Sequence, residues 1–294
     1  MSPDVALAVC RFGHDAAALA LWGLFAFLWA LVPQPVTTPV ADQLAGFRVT
    51  SIAITVITTL AALPLQAAMI GNGWPDAIDV STLRAVLFET SVGTAWIVQC
   101  LAAMMLTLTV VRPAGLRCGA TALASGLVVA SIALSGHAAM HEGALGLAHR
   151  LNDITHLLAG GAWVGALFAL RPLLRALDDP KLRQDAGLAL RRFSTAGHWA
   201  VALVIGTGVA NTALVLQRWP LDWTSPYQAL LSAKIGLVLV MTTIALVNRY
   251  VIVPRMAASR HSAIGALQRG TLFEIALGLA VIALVSIFGL IEPS

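Results

Sequence analysis

Charged residues are scarce in this chain of 294 residues. Asp, Glu, Lys and Arg together make up 11% of it, whereas about 25% is usual in soluble proteins. Apolar residues reach 59%, the mean hydropathy is +0.85, and several apolar runs reach the ~20 residues that cross a bilayer core. The short alternating strands of a membrane β-barrel are also lacking. The sequence therefore predicts an all-α, polytopic membrane helical bundle that forms one integral membrane domain, residues 1–294.

Motifs of catalysis and energy conversion are lacking as well. The chain has no phosphate-binding P-loop, no CxxC or Cys-Pro-Cys and no HExxH. These absences disfavour ATP-driven transport by this chain alone, a P-type metal pump and an intramembrane zinc protease. We assign no catalytic residue and expect no enzymatic activity. The cysteines Cys10, Cys100 and Cys118 show no paired spacing, and we interpret them as small apolar packing residues.

Eight apolar runs are separated by short Pro-, Gly- and Asn-containing breaks. The first run has no basic segment before it and no small-residue cleavage site, so we interpret it as a span and not as a cleaved signal peptide. Small residues such as Gly161 and Gly165, or Gly206 and Gly208, favour close helix packing. The predicted spans are 5–31, 46–70, 86–111, 116–136, 151–171, 193–217, 228–249 and 270–291.

Lys and Arg are distributed unevenly between the two ends of these spans. Thirteen of the eighteen follow spans one, three, five and seven: Arg48, Arg112, Arg117, Arg171, Arg175, Lys181, Arg183, Arg191, Arg192, Arg249, Arg255, Arg260 and Arg269. The positive-inside rule therefore predicts that both termini lie outside the cytoplasm. The same rule accounts for the net charge of +4, so we expect a lipid bilayer as a partner and no nucleic acid.

Polar chemistry is concentrated in one stretch, which the same rule places at the outer face. Four of the seven histidines lie between residues 137 and 156. In span five, His149, Asp153, His156, Gly160 and Trp163 follow one another at intervals of four, three, four and three residues, which predicts one stripe on a helix. A carboxylate and imidazoles in a membrane are costly to desolvate, so this stripe should face the bundle or a wet cavity.

The end of span four adds further metal-binding groups. His137 and His141 are four residues apart, with Met140 beside them, and a continuing helix would put both imidazoles on one face. Imidazole suits copper, zinc, iron and nickel, and a thioether favours Cu(I). A short loop would bring these histidines towards His149 and His156. Asp153 could then orient a ligating histidine by accepting its second ring N–H.

Several other polar residues belong to the same predicted spans. Glu89 and Asn211 lie in the outer halves of spans three and six and are expected to line the cavity, and Lys234 could pair with Asp153 or Glu89. His198 and Glu274 lie near the inner ends of spans six and eight, where they either form an exit site or reach to the interface. The sequence shows no continuous polar path between the two ends.

These residues resemble the CopD/PcoD family of copper-resistance membrane proteins. The resemblance covers residues 115–255 best, whereas the first hundred residues agree mainly in hydropathy and number of spans. It is carried by SGHAA at 135–139, by DITH with GGAWVGAL from Asp153 to Leu167, by RFSTAG at 192–197, by TGVAN at 207–211, and by YQALLSAKI from Tyr227 with Asn248, Arg249 and Pro254.

The resemblance implies an eight-span bacterial inner-membrane protein that handles copper and moves it from periplasm to cytoplasm. It implies His137 and His156 as histidines of the copper site, with Asp153 and Trp163 in support. His141, His149 and Met140 join them by spacing alone, and Glu89 joins them as a further candidate. The family also implies a separate periplasmic copper-binding protein of the CopC type as a partner. The oxidation state, Cu(I) or Cu(II), stays open.

Two other functions remain open at this stage. Paired histidines in a helical bundle can ligate haem, as in electron-transfer proteins of the cytochrome b type, and His14 with His156 is the best available pair. The protein could also be a non-transporting scaffold that docks a periplasmic copper chaperone, which would need no path through the membrane. The copper transporter is the first hypothesis.

Overall fold

The structure is a computed structural model, and it describes residues 1–135, 143–256 and 258–291. The described part is helical and contains no β-strand. Its helices are α1 (Pro3–Ala30), α2 (Gln34–Gln43), α3 (Ala45–Ile70), α4 (Val80–Glu89), α5 (Ser91–Leu108), α6 (Ala114–Ile132), α7 (Gly143–Ala166), α8 (Leu170–Ala176), α9 (Arg183–Leu216), α10 (Pro226–Val247), α11 (Val253–Arg255) and α12 (Arg260–Phe288).

Eight of the helical segments in the described part are long and apolar enough to cross a membrane, which confirms the all-α polytopic bundle. A short 3₁₀ turn joins α7 to α8, so the fifth span is Gly143–Ala176, and a π-helical segment, Asn248–Ile252, extends the seventh span to Arg255. The last four spans are 34, 34, 30 and 29 residues long, and each begins before its predicted bound. The fifth and seventh also end later than predicted, whereas the sixth and eighth end slightly earlier.

The third span differs from the predicted range 86–111. Its helix, α5, begins at Ser91, and residues 86–89 belong to the separate short helix α4. The break lies at Thr90, whose backbone is extended and whose hydroxyl accepts a hydrogen bond from the Gly93 amide at 3.2 Å. This is an N-cap, which stabilises the start of a new helix. Glu89 is therefore the last residue of α4 and is exposed.

Helix α1 lies at the centre of the largest apolar core and packs against α3, α6, α7 and α12. Its contact with α7 is a contact between backbones. A Cβ atom at Gly23 would lie 1.9 Å from the Gly161 carbonyl oxygen, and one at Gly165 would lie 2.7 Å from Gly23 Cα. The Trp22 indole also donates to the Leu158 carbonyl oxygen at 2.8 Å. The predicted packing role of Gly161 and Gly165 is thus borne out.

The remaining long helices, α9, α10 and α12, surround the opposite side of α7. Apolar residues of α7, α9 and α10 form a second, smaller core there, centred on Trp163, Val204 and Met241. Two cavities lie between the same four helices, one on each side of this core. We call one the outer cavity, because it lies towards the span ends that the Lys and Arg distribution predicts to be outside the cytoplasm. The other, towards the predicted cytoplasmic ends, is the inner cavity.

The contact between α1 and α7 yields a stability prediction. Gly23→Ala places a methyl group on the Gly161 carbonyl, and we expect it to destabilise the protein by about 1–3 kcal/mol, the usual cost of overpacking. Gly206→Ala is the control, because a Cβ at Gly206 meets nothing within 4 Å. Thermal unfolding in detergent should show a lower Tm for the first variant only. Equal Tm values in the two variants would show that the added methyl group does not destabilise the contact between α1 and α7.

Candidate functional site

The outer cavity has a volume of about 240 Å³ and is lined mainly by α7, α9, α10 and α12. All five residues of the predicted α7 stripe line it: His149, Asp153, His156, Gly160 and Trp163. Helix α1 contributes Arg11 and Asp15, and α6 ends at its rim. The periodicity of the sequence therefore identified the polar face of α7, and that face borders a cavity as expected.

Asp153 is held by an amide network that joins α7 to α9. The Asn211 side-chain amide donates to Asp153 Oδ1 at 3.0 Å. Asn152 Nδ2 in turn donates to Asn211 Oδ1 at 2.7 Å and to the Thr207 carbonyl oxygen at 3.0 Å. Because Asn211 is both donor and acceptor, its amide orientation is fixed by its two partners. The network supplies Asp153 with a neutral partner and leaves its second oxygen for another group.

His156 is oriented by Thr207 on the facing helix. His156 Nδ1 lies 2.9 Å from Thr207 Oγ1, and the Thr207 hydroxyl donates to the Leu203 carbonyl oxygen. With that single hydroxyl proton directed at Leu203, we expect Thr207 to accept from His156, which predicts the ring proton at Nδ1. The Nε2 atom would then carry the lone pair. A neutral histidine with one nitrogen engaged and the other holding a lone pair is the form that binds a metal ion.

A glycine allows this close approach of α7 to α9. A Cβ atom at Gly208 would lie 3.3 Å from His156 Cε1, which is tighter than ordinary contact. Thr207, Gly208 and Asn211 thus contact Asp153 and His156 of α7 from a single face of α9. Gly206, by contrast, has nothing within 4 Å of a built Cβ atom, so it has no packing role among the described residues.

Lys234 of α10 and Arg11 of α1 are the two cations that line the outer cavity. Lys234 lines it together with Asp153, although no ion pair within 4.0 Å joins these two residues. The Lys234 ammonium also lies 5.9 Å from the centre of the Phe288 ring, within the range of a cation–π contact. Of the two partners considered for Lys234, Asp153 is therefore the one that shares its cavity. His149, which is only 2% exposed, lies at the same polar face.

The sequence of the chain matches two protein-family models. A family model described as "Copper resistance protein D-like, N-terminal domain" matches residues 1–147, and one described as "Copper resistance protein D" matches residues 187–288. "Inner membrane protein YebZ" of Escherichia coli is 30% identical over 96% of this chain and 97% of its own length. The chain belongs to the copper resistance protein D family.

Two further family members carry copper in their names. "Copper resistance protein D" of Pseudomonas syringae pv. tomato is 26% identical over 94% of this chain and 91% of its own. "Copper transport protein CutJ" of Bacillus subtilis is 28% identical over 81% of this chain, which corresponds to 44% of the longer CutJ. No solved structure matches the chain.

The structure places the other predicted residues of this family member as follows. His137, Met140 and His141 lie outside the described residues. Glu89 is exposed and does not line the outer cavity, whereas Asn211 does. In the ranges 1–135, 143–256 and 258–291, no three His, Cys, Asp or Glu residues are grouped closely enough to hold a metal ion. The roles of His137, Met140, His141, His149, Asp153, His156 and Glu89 as metal ligands therefore stay predictions.

His14, one half of the best haem pair, lies apart from the cavity lining. Its Nδ1 is 3.0 Å from Asp15 Oδ1, and its Nε2 is buried without a hydrogen-bond partner among the described residues. Asp15 lines the outer cavity, but His14 does not. Asn152 and Thr207 were not identified from the sequence as functional residues. Their position in or beside the DITH and TGVAN motifs is the signal that could have identified them.

The assignment of the His156 proton can be tested without a metal. We expect ¹⁵N NMR of histidine-labelled protein to show His156 protonated at Nδ1, and Thr207→Val to abolish that preference because valine cannot accept a hydrogen bond. The His156 signals are identified by their absence in His156→Gln. Thr243→Val is the control, since Thr243 bonds only within its own helix. An Nε2-protonated His156 in the unmodified protein would refute the assignment.

Proposed function

We propose that the protein transports copper across the bacterial inner membrane, from the outer cavity towards the cytoplasm, and that it is not an enzyme. The family and the names of its members support copper handling. The name of the Escherichia coli relative and the eight apolar helices support an inner-membrane location. The observation that carries the proposal is the placement of the His156 imidazole and the Asp153 carboxyl group in one cavity inside the bundle.

The chemistry of the described groups suits copper but does not by itself complete a site. His156 supplies one imidazole nitrogen, and His149, two turns earlier on the same face of α7, supplies a second. Asp153, between them, supplies a carboxylate oxygen. Imidazole accepts copper in either oxidation state, and thioether sulfur selects Cu(I). In this proposal His137, Met140 and His141 supply the remaining ligands from the segment between α6 and α7. Glu89, exposed at the end of α4, could act only at the entrance.

Lys234 gives the outer cavity a resident counter-ion. Without copper, the Lys234 ammonium balances the Asp153 carboxylate, so the pair leaves little net charge inside the membrane. A copper ion that binds beside Asp153 must compete with this ammonium. Lys234 therefore weakens copper binding and favours release, which a transporter needs because an ion held too tightly does not leave. A periplasmic protein of the CopC type is proposed to deliver the ion.

Removing ligands tests the outer site. We expect His156→Gln to abolish near-stoichiometric copper retention by purified, desalted protein, and Asp153→Asn to weaken binding about tenfold or more, because an amide oxygen lacks the negative charge that attracts the ion. His261→Gln is the matched control, because His261 lies exposed at the start of α12. Elemental analysis measures the copper. Unchanged affinity in both site variants would remove the assignment.

The same preparation distinguishes the alternative functions. A haem protein of the cytochrome b type would contain iron and show Soret absorption, whereas the proposed transporter would contain copper and show none. A docking scaffold could bind copper but would not move it. Copper uptake into proteoliposomes that contain the protein supports transport, and uptake no faster than in empty liposomes argues for the scaffold.

The counter-ion role of Lys234 predicts a gain in affinity. Lys234→Leu removes the charge and adds no metal-binding atom, so Asp153 becomes available to the ion. We expect copper to bind about tenfold more tightly, the effect of ~1.4 kcal/mol, and to be released more slowly into proteoliposomes. Competition with a chromogenic copper chelator measures the affinity. Weaker binding in Lys234→Leu would show that the ammonium assists the site instead of competing with it.

A further inference from the structure

Helices α9 and α10 leave a gap on the inner half of the bundle. Helix α9 packs against α7, and α10 packs against α12, whereas the backbones of α9 and α10 have almost no contact with each other. Side chains of both helices belong to the small core around Val204 and Met241. The inner cavity lies between the two helices on the inner side of that core. It is therefore a space that the packing of the described helices does not fill.

The inner cavity is mainly apolar and reaches the surface of the bundle. Its volume of about 390 Å³ lies within the range of ~300–1,000 Å³ that is typical of ligand pockets. Most of its lining residues are aliphatic or aromatic, among them Leu174 of α8, Leu190 of α9 and Leu267 of α12. Two other lining residues, His198 of α9 and Leu246 of α10, are exposed. The cavity thus opens on the side of α9 and α10, where a membrane supplies lipid.

Positive charge exceeds negative charge in this cavity. Arg191 of α9 and Arg249 of the π-helical segment line it, and Glu274 is the one carboxylate among its described lining residues. In the described part, no ion pair within 4.0 Å joins either arginine to a carboxylate. Glu274 accepts a hydrogen bond from the Asn248 side-chain amide at 2.8 Å. The cavity thus combines apolar walls with two guanidinium groups that attract an anion.

Both arginines lie near the predicted cytoplasmic ends of their spans. A Cβ atom at Gly187 would lie 3.8 Å from Arg191 Nη1, so the side chain of Arg191 extends over the preceding turn, towards the start of α9. Arg249 lies in the last turns of the seventh span, which ends at Arg255. Arginines in such positions extend their charge to the headgroup level and bind phosphate through parallel N–H donors. The phosphate available at that level is the headgroup phosphate of the inner leaflet.

We propose that the inner cavity binds one phospholipid of net negative charge from the inner leaflet. Arg191 and Arg249 hold its phosphate group, and an acyl chain occupies the apolar gap between α9 and α10. Basic pockets between membrane helices on the cytoplasmic side bind acidic lipid headgroups in this way. A free inorganic anion would use the arginines and leave the apolar gap empty, whereas a lipid matches both. This site goes beyond the proposed function, because its occupancy needs no copper. In the proposed transport, the acyl chain closes the side of the path that is open to the bilayer.

The arginines are tested by native mass spectrometry of the delipidated whole chain in detergent, with phosphatidylglycerol added. We expect one bound lipid per chain. The combined variant Arg191→Gln with Arg249→Gln should bind it at least about tenfold less tightly, because charge-assisted bonds to the phosphate are lost. The matched control combines Arg112→Gln with Arg171→Gln, since both residues are exposed at the predicted inner end and line neither cavity. Equal affinities in the two double variants overturn the arginine site.

The apolar gap is tested by filling it without a change of charge. Gly197 lines the inner cavity, and a Cβ atom there would meet nothing within 4 Å, so Gly197→Phe places a ring in the cavity. We expect this variant to bind phosphatidylglycerol about tenfold less tightly, because the ring and the acyl chain compete for the same space. Gly206→Phe is the control, as Gly206 has the same free space but lines neither cavity. Unchanged binding in Gly197→Phe would put the acyl chain elsewhere and overturn the assignment to this cavity.

The same measurement identifies the occupant. Phosphatidylglycerol should bind at least about tenfold more tightly than phosphatidylcholine, whose headgroup has no net charge, and inorganic phosphate should not displace it. Three results overturn the proposal. Equal binding of both lipids excludes recognition of charge, displacement by phosphate alone indicates a site for free anions, and a lipid-free dimer indicates that a second copy covers the gap. All of these results are obtained without copper, so a failure of lipid binding is distinct from a failure of copper transport.

Discussion

The close contact of α1 with α7 is the constraint on which the site depends. Lipid gives helices no hydrophobic reason to associate, so membrane helices rely on close packing and interhelical hydrogen bonds. Gly161 and Gly165 bring the α7 backbone against Gly23, and Trp22 adds a hydrogen bond to Leu158. These contacts fix the rotation of α7 about its axis. The polar stripe lies on another face of the helix and is thereby turned towards α9, α10 and α12.

Helix α9 makes that polar face tolerable inside a membrane. It would cost free energy to expose the polar atoms of Asp153 and His156 to lipid. Helix α9 avoids this cost with two hydrogen-bond partners, Asn211 for the carboxylate and Thr207 for the imidazole. The DITH and TGVAN motifs are therefore two halves of one polar interface. The bond with Thr207 also restricts what His156 can do, because it engages Nδ1, so that Nε2 is the ring nitrogen we expect to bind a ligand. Packing, polar satisfaction and function thus depend on the same few residues.

The sequence predicted the features that depend on a single helix and missed those that depend on pairs of helices. The spans and the α7 stripe follow from hydropathy and the 3.6-residue period, and both were found. Two hydrogen bonds, of His156 with Thr207 and of Asn248 with Glu274, join residues of different helices. They depend on how those helices cross, and a pattern within one helix does not contain that information. Glu89 was expected at the cavity because span three was taken as one helix, but the cap at Thr90 separates it from α5. The histidines at 137 and 141 lie outside the described residues, so the complete ligand set stays a prediction.

The contrast between the two cavities supports a direction for copper movement. The outer cavity is lined by two imidazoles and two carboxylates, those of His149, His156, Asp15 and Asp153, and by two cations, Arg11 and Lys234. The inner cavity also has two cations, Arg191 and Arg249, but only one imidazole and one carboxylate, those of His198 and Glu274. Imidazole is a good copper ligand, and the inner cavity therefore offers copper fewer ligands against the same number of positive charges. In the proposed transport, an ion that moves from the outer to the inner cavity would thus be bound less tightly than before. With the orientation that the Lys and Arg distribution predicts, the membrane potential adds ~2.3 kcal/mol per charge for each 100 mV in the same inward direction. Loss of ligands and the electric field thus favour release on the inner side without a further source of energy.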